Sequence, residues 1–140
     1  MSLLVTKSEN MGLISALVID DSAFDRRRLM RIAEQTNIDF LIREAAEPEE
    51  FGRALDREKF DVIYVDLSLP GVSGMDLLPV VRAHSVNKNA ALIMIAGDDQ
   101  AEVALAAVRS GFSDYIEKDP LAATALERAT VNAVQKTRLS

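Results

Sequence analysis

Cysteine and tryptophan are absent from the 140 residues, and histidine occurs once, at His84. Without cysteine there is no disulfide framework and no thiolate zinc site, and a single histidine cannot build an imidazole metal cluster. Positive charge is in deficit: 16 Lys and Arg stand against 22 Asp and Glu, a net charge of −6. That balance argues against nucleic acid as a direct partner. No apolar run approaches the roughly 20 residues of a membrane span. The first such run ends at two aspartates with no small-residue cleavage site, so no secretory signal is visible. Internal repeats, low-complexity stretches and a Gly-rich nucleotide loop are also missing. The expectation is a cytoplasmic protein that engages neither membrane nor nucleic acid.

What is present is apolar sequence in strand-length pieces. Hydrophobic residues make up 49% of a chain long enough for one domain with a single core. Residues 60 to 78, FDVIYVDLSLPGVSGMDLL, are its centre. Val62 to Val65 run without polar relief into Asp66, and a turn follows at Ser68-Leu69-Pro70-Gly71. A strand apolar on both faces belongs in a buried parallel sheet. Such sheets place their chemistry at the carboxyl ends of the strands. Asp66 stands at such an end, as nucleophile, metal ligand or helix-approach residue.

The same pattern recurs along the chain. Leu13 to Ile19 close on Asp20 and Asp21; Ala91 to Ala96 close on Gly97-Asp98-Asp99; Asp114-Tyr115-Ile116 end near Lys118. Phe40 to Ala45 read as a further strand. Between these lie helical stretches. Ser22 caps the first, with Leu29, Ile32 and Ala33 at helical spacing, and its Arg26, Arg27, Arg28 and Arg31 read as a solvated face. Glu47-Pro48-Glu49-Glu50 start the second, with Phe51, Ala54 and Leu55 as its buried stripe. A third spans about Ser73 to Ala83, where Pro79 predicts a kink or a late start. His84 reads as a loop or capping residue, and Ser85 to Asn89 as loop. Gln100 to Ser110 form an alanine-rich helix that Gly111 stops. Asp119 and Pro120 read as N-cap and first position of a last helix reaching about Arg138. Residues 1–11 are expected to be a flexible leader and 12–138 the domain, with no output domain following.

Five βα units with right-handed crossovers make an α/β fold, a doubly wound parallel sheet with helices on both faces. Neighbouring strands then point Asp20, Asp21 and Asp66 into one crevice. Three close carboxylates repel one another, and at least one pKa rises unless a cation intervenes. Mg²⁺ is the natural one, because it takes hard oxygen ligands and keeps several waters. Lys118 is the cation placed to join the cluster. An acidic pair, a lone aspartate and a lysine at strand ends amount to a phosphoryl site.

These residues carry a family likeness over about Gly12 to Arg138. The chain resembles the receiver domains of bacterial two-component response regulators. Asp20 and Asp21 match the acidic pair, Asp66 the phospho-accepting aspartate, Tyr115 the aromatic switch position and Lys118 the lysine. The turn Ser68 to Gly71, with Gly74, is similar to that family's entry into its third helix. The resemblance implies a flavodoxin-like (βα)5 fold with strand order 2-1-3-4-5. It also implies Mg²⁺ held by Asp20, Asp21, Asp66 and the backbone carbonyl of Ser68. Asp66 is then phosphorylated by a sensor histidine kinase or phosphotransfer protein, without other enzyme activity than self-phosphorylation and dephosphorylation. The output partner, a protein or domain, is expected on the face of helix four, strand five and helix five, where self-association is also expected. Ala101, Ala104, Ala106, Ala107 and Val108 suggest an apolar surface there. Two departures stand out. Ala96 occupies the Ser/Thr switch position, and Asp119 separates Lys118 from Pro120.

Two other classes compete. A degenerate receiver binds partners without phosphorylation, which Ala96 favours and the acidic set opposes. An Mg²⁺-dependent phosphohydrolase with an aspartate nucleophile is opposed by Ser22, which breaks that family's D-x-D pattern.

Overall fold

The computed structural model describes residues 11–139. Its main sheet is built from β1 (Leu13–Ile19), β2 (Asp39–Ala45), β3 (Val62–Asp66), β6 (Ala91–Ala96) and β7 (Asp114–Glu117). All are parallel and run in the order β2-β1-β3-β6-β7. Counted within this sheet alone, that is the expected 2-1-3-4-5. Two short strands, β4 (Ser68–Leu69) and β5 (Val72–Ser73), pair antiparallel across the Pro70-Gly71 turn as a small hairpin outside it. The turn expected at Ser68 to Gly71 is thus part of a hairpin.

Side-chain alternation splits the interior into two cores. Leu17 and Ile19 of β1, Ile63 and Val65 of β3, and Leu92 and Met94 of β6 lie on one side. They pack against α2 (Pro48–Arg57), α3 (Leu77–Arg82) and α4 (Ala101–Ser110) through Phe51, Leu55, Leu77, Val81, Ala104 and Ala107. The other set, Ala16, Val18, Val62, Tyr64, Ala91 and Ile93, meets Leu29 and Ala33 of α1 (Ala23–Glu34) and Leu126 and Ala129 of α5 (Ala123–Leu139). Every residue of β3 and β6 is buried, which is why those strands read as continuous apolar runs. Tyr64 places its hydroxyl 2.6 Å from Thr130 Oγ1, and burial holds its pKa above the ordinary phenol value.

Several local expectations meet their structural outcome here. Ser22 caps α1 by accepting the Asp25 N–H, and Pro48 is the first residue of α2. α3 starts late: a 3₁₀ turn at Gly74–Asp76 precedes it, so Pro79 falls in the first turn, where a missing N–H costs nothing. Gly111, at a φ of 133°, ends α4. Asp119 and Pro120 do not begin the last helix. They form a turn after Lys118, and α5 opens three residues later, at Ala123. The polar loop before β6 hides a buried tie. Asn87 accepts the Phe60 N–H at 2.7 Å and donates to the carbonyls of Leu55 and Glu58 at 2.9 and 2.8 Å. His84 is a loop residue whose Nδ1 accepts the N–H groups of Val86 and Asn87.

Of the expected leader, residues 1–10 lie outside the described part; Met11 is buried against the α1/α5 core and its carbonyl accepts from Arg138. Among the described residues, no helix is long and apolar enough to cross a membrane.

Candidate functional site

Strand register places the chemistry. Ile19 pairs with Val65, Asp66 with Ile95 and Ala96 with Glu117, so Asp20, Asp66, Gly97 and Lys118 emerge along one rim. The chain must double back tightly behind Asp66. The Gly74 N–H donates to Leu67 O at 3.0 Å. A Cβ at Gly74 would land on the Asp66 carbonyl oxygen and 2.9 Å from Val65 Cγ1, so only glycine permits this approach.

Oxygens of Asp20, Asp21 and Asp66 all lie within 4.8 Å of one another. Asp66 is 2% exposed and Asp20 5%, whereas Asp21 is exposed. Asp20 Oδ1 accepts the Ser22 N–H at 2.9 Å, and Asp66 Oδ1 accepts the Ser68 N–H at 3.2 Å. Their other oxygens face Lys118 Nζ, Asp66 Oδ2 at 3.1 Å and Asp20 Oδ2 at 3.4 Å. Three oxygen donors, two of them deep in the rim, form a set that suits a small hard cation and no soft one.

Burial pushes the Asp66 carboxyl up to about 6, with the Asp20 charge adding to the rise; the hydrogen bond and charge of Lys118 and the Ser68 N–H pull it back only in part. For Lys118, burial works against the charged form. The hydrogen bonds to Asp25 and Asp66, and the charges of Asp66 and Asp20, outweigh it and hold the ammonium pKa above its ordinary value. The Asp66 shift costs on the order of 3 kcal/mol in the ionised state. A fully buried large apolar side chain contributes about 1.5–3 kcal/mol. Ile63, Leu92, Ile93 and Met94 are all at 0% exposure, and burial of this kind in the strands around the site offsets such a cost.

Three neighbours escaped the sequence reading. Asp25 Oδ2 sits 3.0 Å from Lys118 Nζ. Arg26 donates to the Asp20 carbonyl at 2.6 Å and to Glu44 at 2.9 Å, and Arg28 donates to the Lys118 carbonyl. The expected solvated arginine face is thus correct for the exposed Arg27 and Arg31 but not for Arg26 and Arg28, because backbone carbonyls of the rim need donors there. Only a helical-wheel count from Ser22 toward the rim could have flagged Asp25. Gln100, the expected start of the alanine-rich helix, spans two loops: its Oε1 accepts the Gly97 N–H at 2.8 Å and its Nε2 donates to Ser68 Oγ at 2.5 Å.

Ala96 is buried, and its carbonyl accepts the Lys118 N–H at 2.8 Å. Tyr115 is half-buried against the α2/α3/α4 core. The apolar surface expected on α4 is differently composed. Ala104 and Ala107 are core residues at 0% exposure, Ala106 and Val108 are half-buried, and the large exposed side chains are Val103 and Leu105. A groove of about 550 Å³ lined by Arg27, Met30, Arg31 and Phe40 lies between α1 and β2, and none of the site carboxylates lines it.

The parallel order, the buried acidic rim and the lysine opposite define a class, and comparison with known proteins names it. The chain belongs to the response regulator receiver domain family, whose model matches residues 16–130. These are receiver domains of two-component systems. Among relatives, it is 32% identical over 108 residues to a Geobacter sulfurreducens protein-glutamate methylesterase/protein-glutamine glutaminase, covering 77% of this chain and 28% of that one. It is 34% identical over 74 residues to chemotaxis protein CheY-3 of Vibrio cholerae, covering 53% of this chain and 57% of the other. A receiver domain protein from Clostridium thermocellum superposes with a TM-score of 0.75 at 26% identity, covering 90% of this chain and 98% of that one. NtrX from Brucella abortus gives 0.80 at 25% identity, with 91% and 28% covered. The chain spans between 28% and 57% of the length of the first three curated relatives.

Proposed function

We propose that residues 12–138 accept a phosphoryl group on Asp66 from a phosphohistidine of a sensor histidine kinase or phosphotransfer protein, and that this occurs in the cytoplasm. The observation that carries this reading is the cluster of Asp20, Asp21 and Asp66 oxygens within 4.8 Å, faced by Lys118 at 3.1 Å. One Asp66 oxygen attacks phosphorus, the P–N bond breaks, and the imidazole leaves with the electron pair. Asp20 and Asp21, with Asp66 and the Ser68 carbonyl, are the residues that would hold Mg²⁺. When bound, the ion neutralises charge on the phosphoryl oxygens. Lys118 donates to another of those oxygens, and the Ser68 N–H keeps the Asp66 carboxylate oriented for attack. Beyond self-phosphorylation and dephosphorylation, no separate catalytic activity is proposed for this chain.

The output would be a population shift. A new dianion on Asp66 draws the loop after β6 inward and biases Tyr115, altering the face formed by α4, β7 and α5. A partner protein or domain, or a second copy of the chain, would dock there against Val103 and Leu105, both more than 40% exposed. The degenerate-receiver reading keeps one argument: Ala96 has no hydroxyl with which to follow the phosphoryl oxygen.

Intact-mass measurement with acetyl phosphate or phosphoramidate, with and without Mg²⁺, tests the reading. One phosphoryl addition that requires the metal and is absent in Asp66→Asn is expected. Equal labelling of the two proteins would sink it, and no labelling of either would leave the degenerate receiver in its place.

A further inference from the structure

Asp25 stands outside the three-carboxylate cluster, yet it makes the closest ion pair of Lys118. Its Oδ2 is 3.0 Å from Nζ, against 3.1 Å for Asp66 and 3.4 Å for Asp20. The contact is built. Asp25 lies in the first turn of α1, and its backbone N–H donates to the Ser22 cap at 3.1 Å. Arg28, one turn on, lies 3.9 Å from its second oxygen and donates to the Lys118 carbonyl. The ammonium therefore has an inner seat on Asp20 and Asp66 and an outer seat on Asp25.

The two events of the proposed phosphoryl chemistry ask opposite things of that ammonium. A divalent cation entering among Asp20, Asp21 and Asp66 meets a positive charge already touching two of its ligands. Entry is easier when the ammonium can lean on Asp25. A phosphoryl group arriving at Asp66 is an anion that needs Lys118, and Asp25 competes with it for the same N–H donors. Resting on the phosphoryl-acceptor reading, we propose that Asp25 is a positioning residue for Lys118, a second carboxylate seat that favours metal entry and restrains anion capture.

The test uses Asp25→Asn, which keeps the side-chain shape and the backbone bond to Ser22 while removing the charge. Mg²⁺ binding is followed by calorimetry. Binding of beryllofluoride, an anionic phosphoryl mimic, is followed by ¹⁹F NMR at saturating Mg²⁺. Mg²⁺ should bind about three- to tenfold more weakly, and beryllofluoride more tightly by a similar factor. Asp25→Glu, which keeps the charge, should hold the Mg²⁺ affinity within about twofold of the original. Shifts in the same direction, or no shift, would overturn the proposal, since structural damage weakens both ligands together. The same opposed shifts in Asp98→Asn, which removes an exposed charge in the loop after β6, would also overturn it by showing a general field effect. A parent protein that binds neither ligand instead removes the phosphoryl-acceptor reading underneath.

Discussion

The Lys118 N–H donates to the carbonyl of Ala96 at 2.8 Å, so the proposed switch position, which has no hydroxyl, and the cation that faces Asp66 are joined through the backbone. That bond holds the ends of β6 and β7 together whether or not the Ala96 side chain can donate. If Asp66 accepts a phosphoryl group as proposed, its chemistry is expected to be independent of the Ala96 side chain, and coupling is expected to depend on it. A hydrogen bond to a charged oxygen contributes about 1.5–3 kcal/mol, roughly ten- to a hundredfold in a two-state equilibrium. Ala96→Thr should leave Asp66 labelling unchanged and enlarge the phosphorylation-dependent change in Tyr115 fluorescence and in amide exchange of residues 96–100. Equal responses in the two proteins would show that Ala96 is not a weak link.

Asp66 predicts a pH dependence with a definite sign. Its folded pKa, about 6, is raised above its unfolded value near 4. The native state thus holds the extra proton between those values, and this group's contribution to stability is present below about pH 4 and lost as pH rises through 6. In metal-free buffer at neutral pH, Asp66→Asn should be more stable by about 1–3 kcal/mol in urea melts, less than the full shift because Lys118 loses a partner. Mg²⁺ should raise the melting temperature of the parent and lose affinity as pH falls below about 6, where protons compete for Asp66. A parent protein no less stable than the variant above pH 6 would refute the charge argument.

The Tyr64–Thr130 pair crosses the α1/α5 core with both residues at 0% exposure. Thr130→Val keeps the shape and strands the phenol hydroxyl. A loss of about 1–3 kcal/mol is expected, and Tyr64→Phe combined with it should restore part of that loss. A double variant no more stable than Thr130→Val alone would argue that the hydrogen bond is not what the valine removes.

Gly74→Ala tests the backbone behind the site. The added methyl group collides with the Asp66 carbonyl and Val65, both part of a fully buried strand, so the hairpin has to move. A loss of about 1–3 kcal/mol, typical of overpacking, is expected together with slower Asp66 labelling. Labelling at the original rate would mean that the hairpin relaxes without disturbing Asp66.

The strands, their buried character and the rim of acids were legible because a parallel sheet writes them as apolar runs ending in charge. Ser22 and Pro48 were legible because capping follows local rules. What escaped were contacts set by three-dimensional approach. Arg28 reads as a member of a charged helix surface and Asp25 carries no signal of its own, since nothing local says that Lys118, some 90 residues later, arrives beside them. Asn87 looked like loop polarity for the same reason, although it is 1% exposed and ties three backbone groups. Asp-Pro is a good start signal and points to a last helix from Asp119, but the turn at Asp119-Pro120 uses that signal for another purpose.

The parity of the strands has one more consequence. Asp66 continues the row of Val62 and Tyr64, toward α1 and α5, while Ala96 ends the row of Leu92 and Met94, toward α2, α3 and α4. The sender and receiver of the proposed signal thus sit in different rooms, separated by a wall of buried strands. On the phosphoryl-acceptor proposal, news passes over the top of the wall, where the strands end, where the Lys118 N–H meets the Ala96 carbonyl and where the loops of Ser68 and Gly97 touch through Gln100. Substitutions deep in either room should alter how firmly the building stands, and those along this short parapet should alter what one room hears of the other.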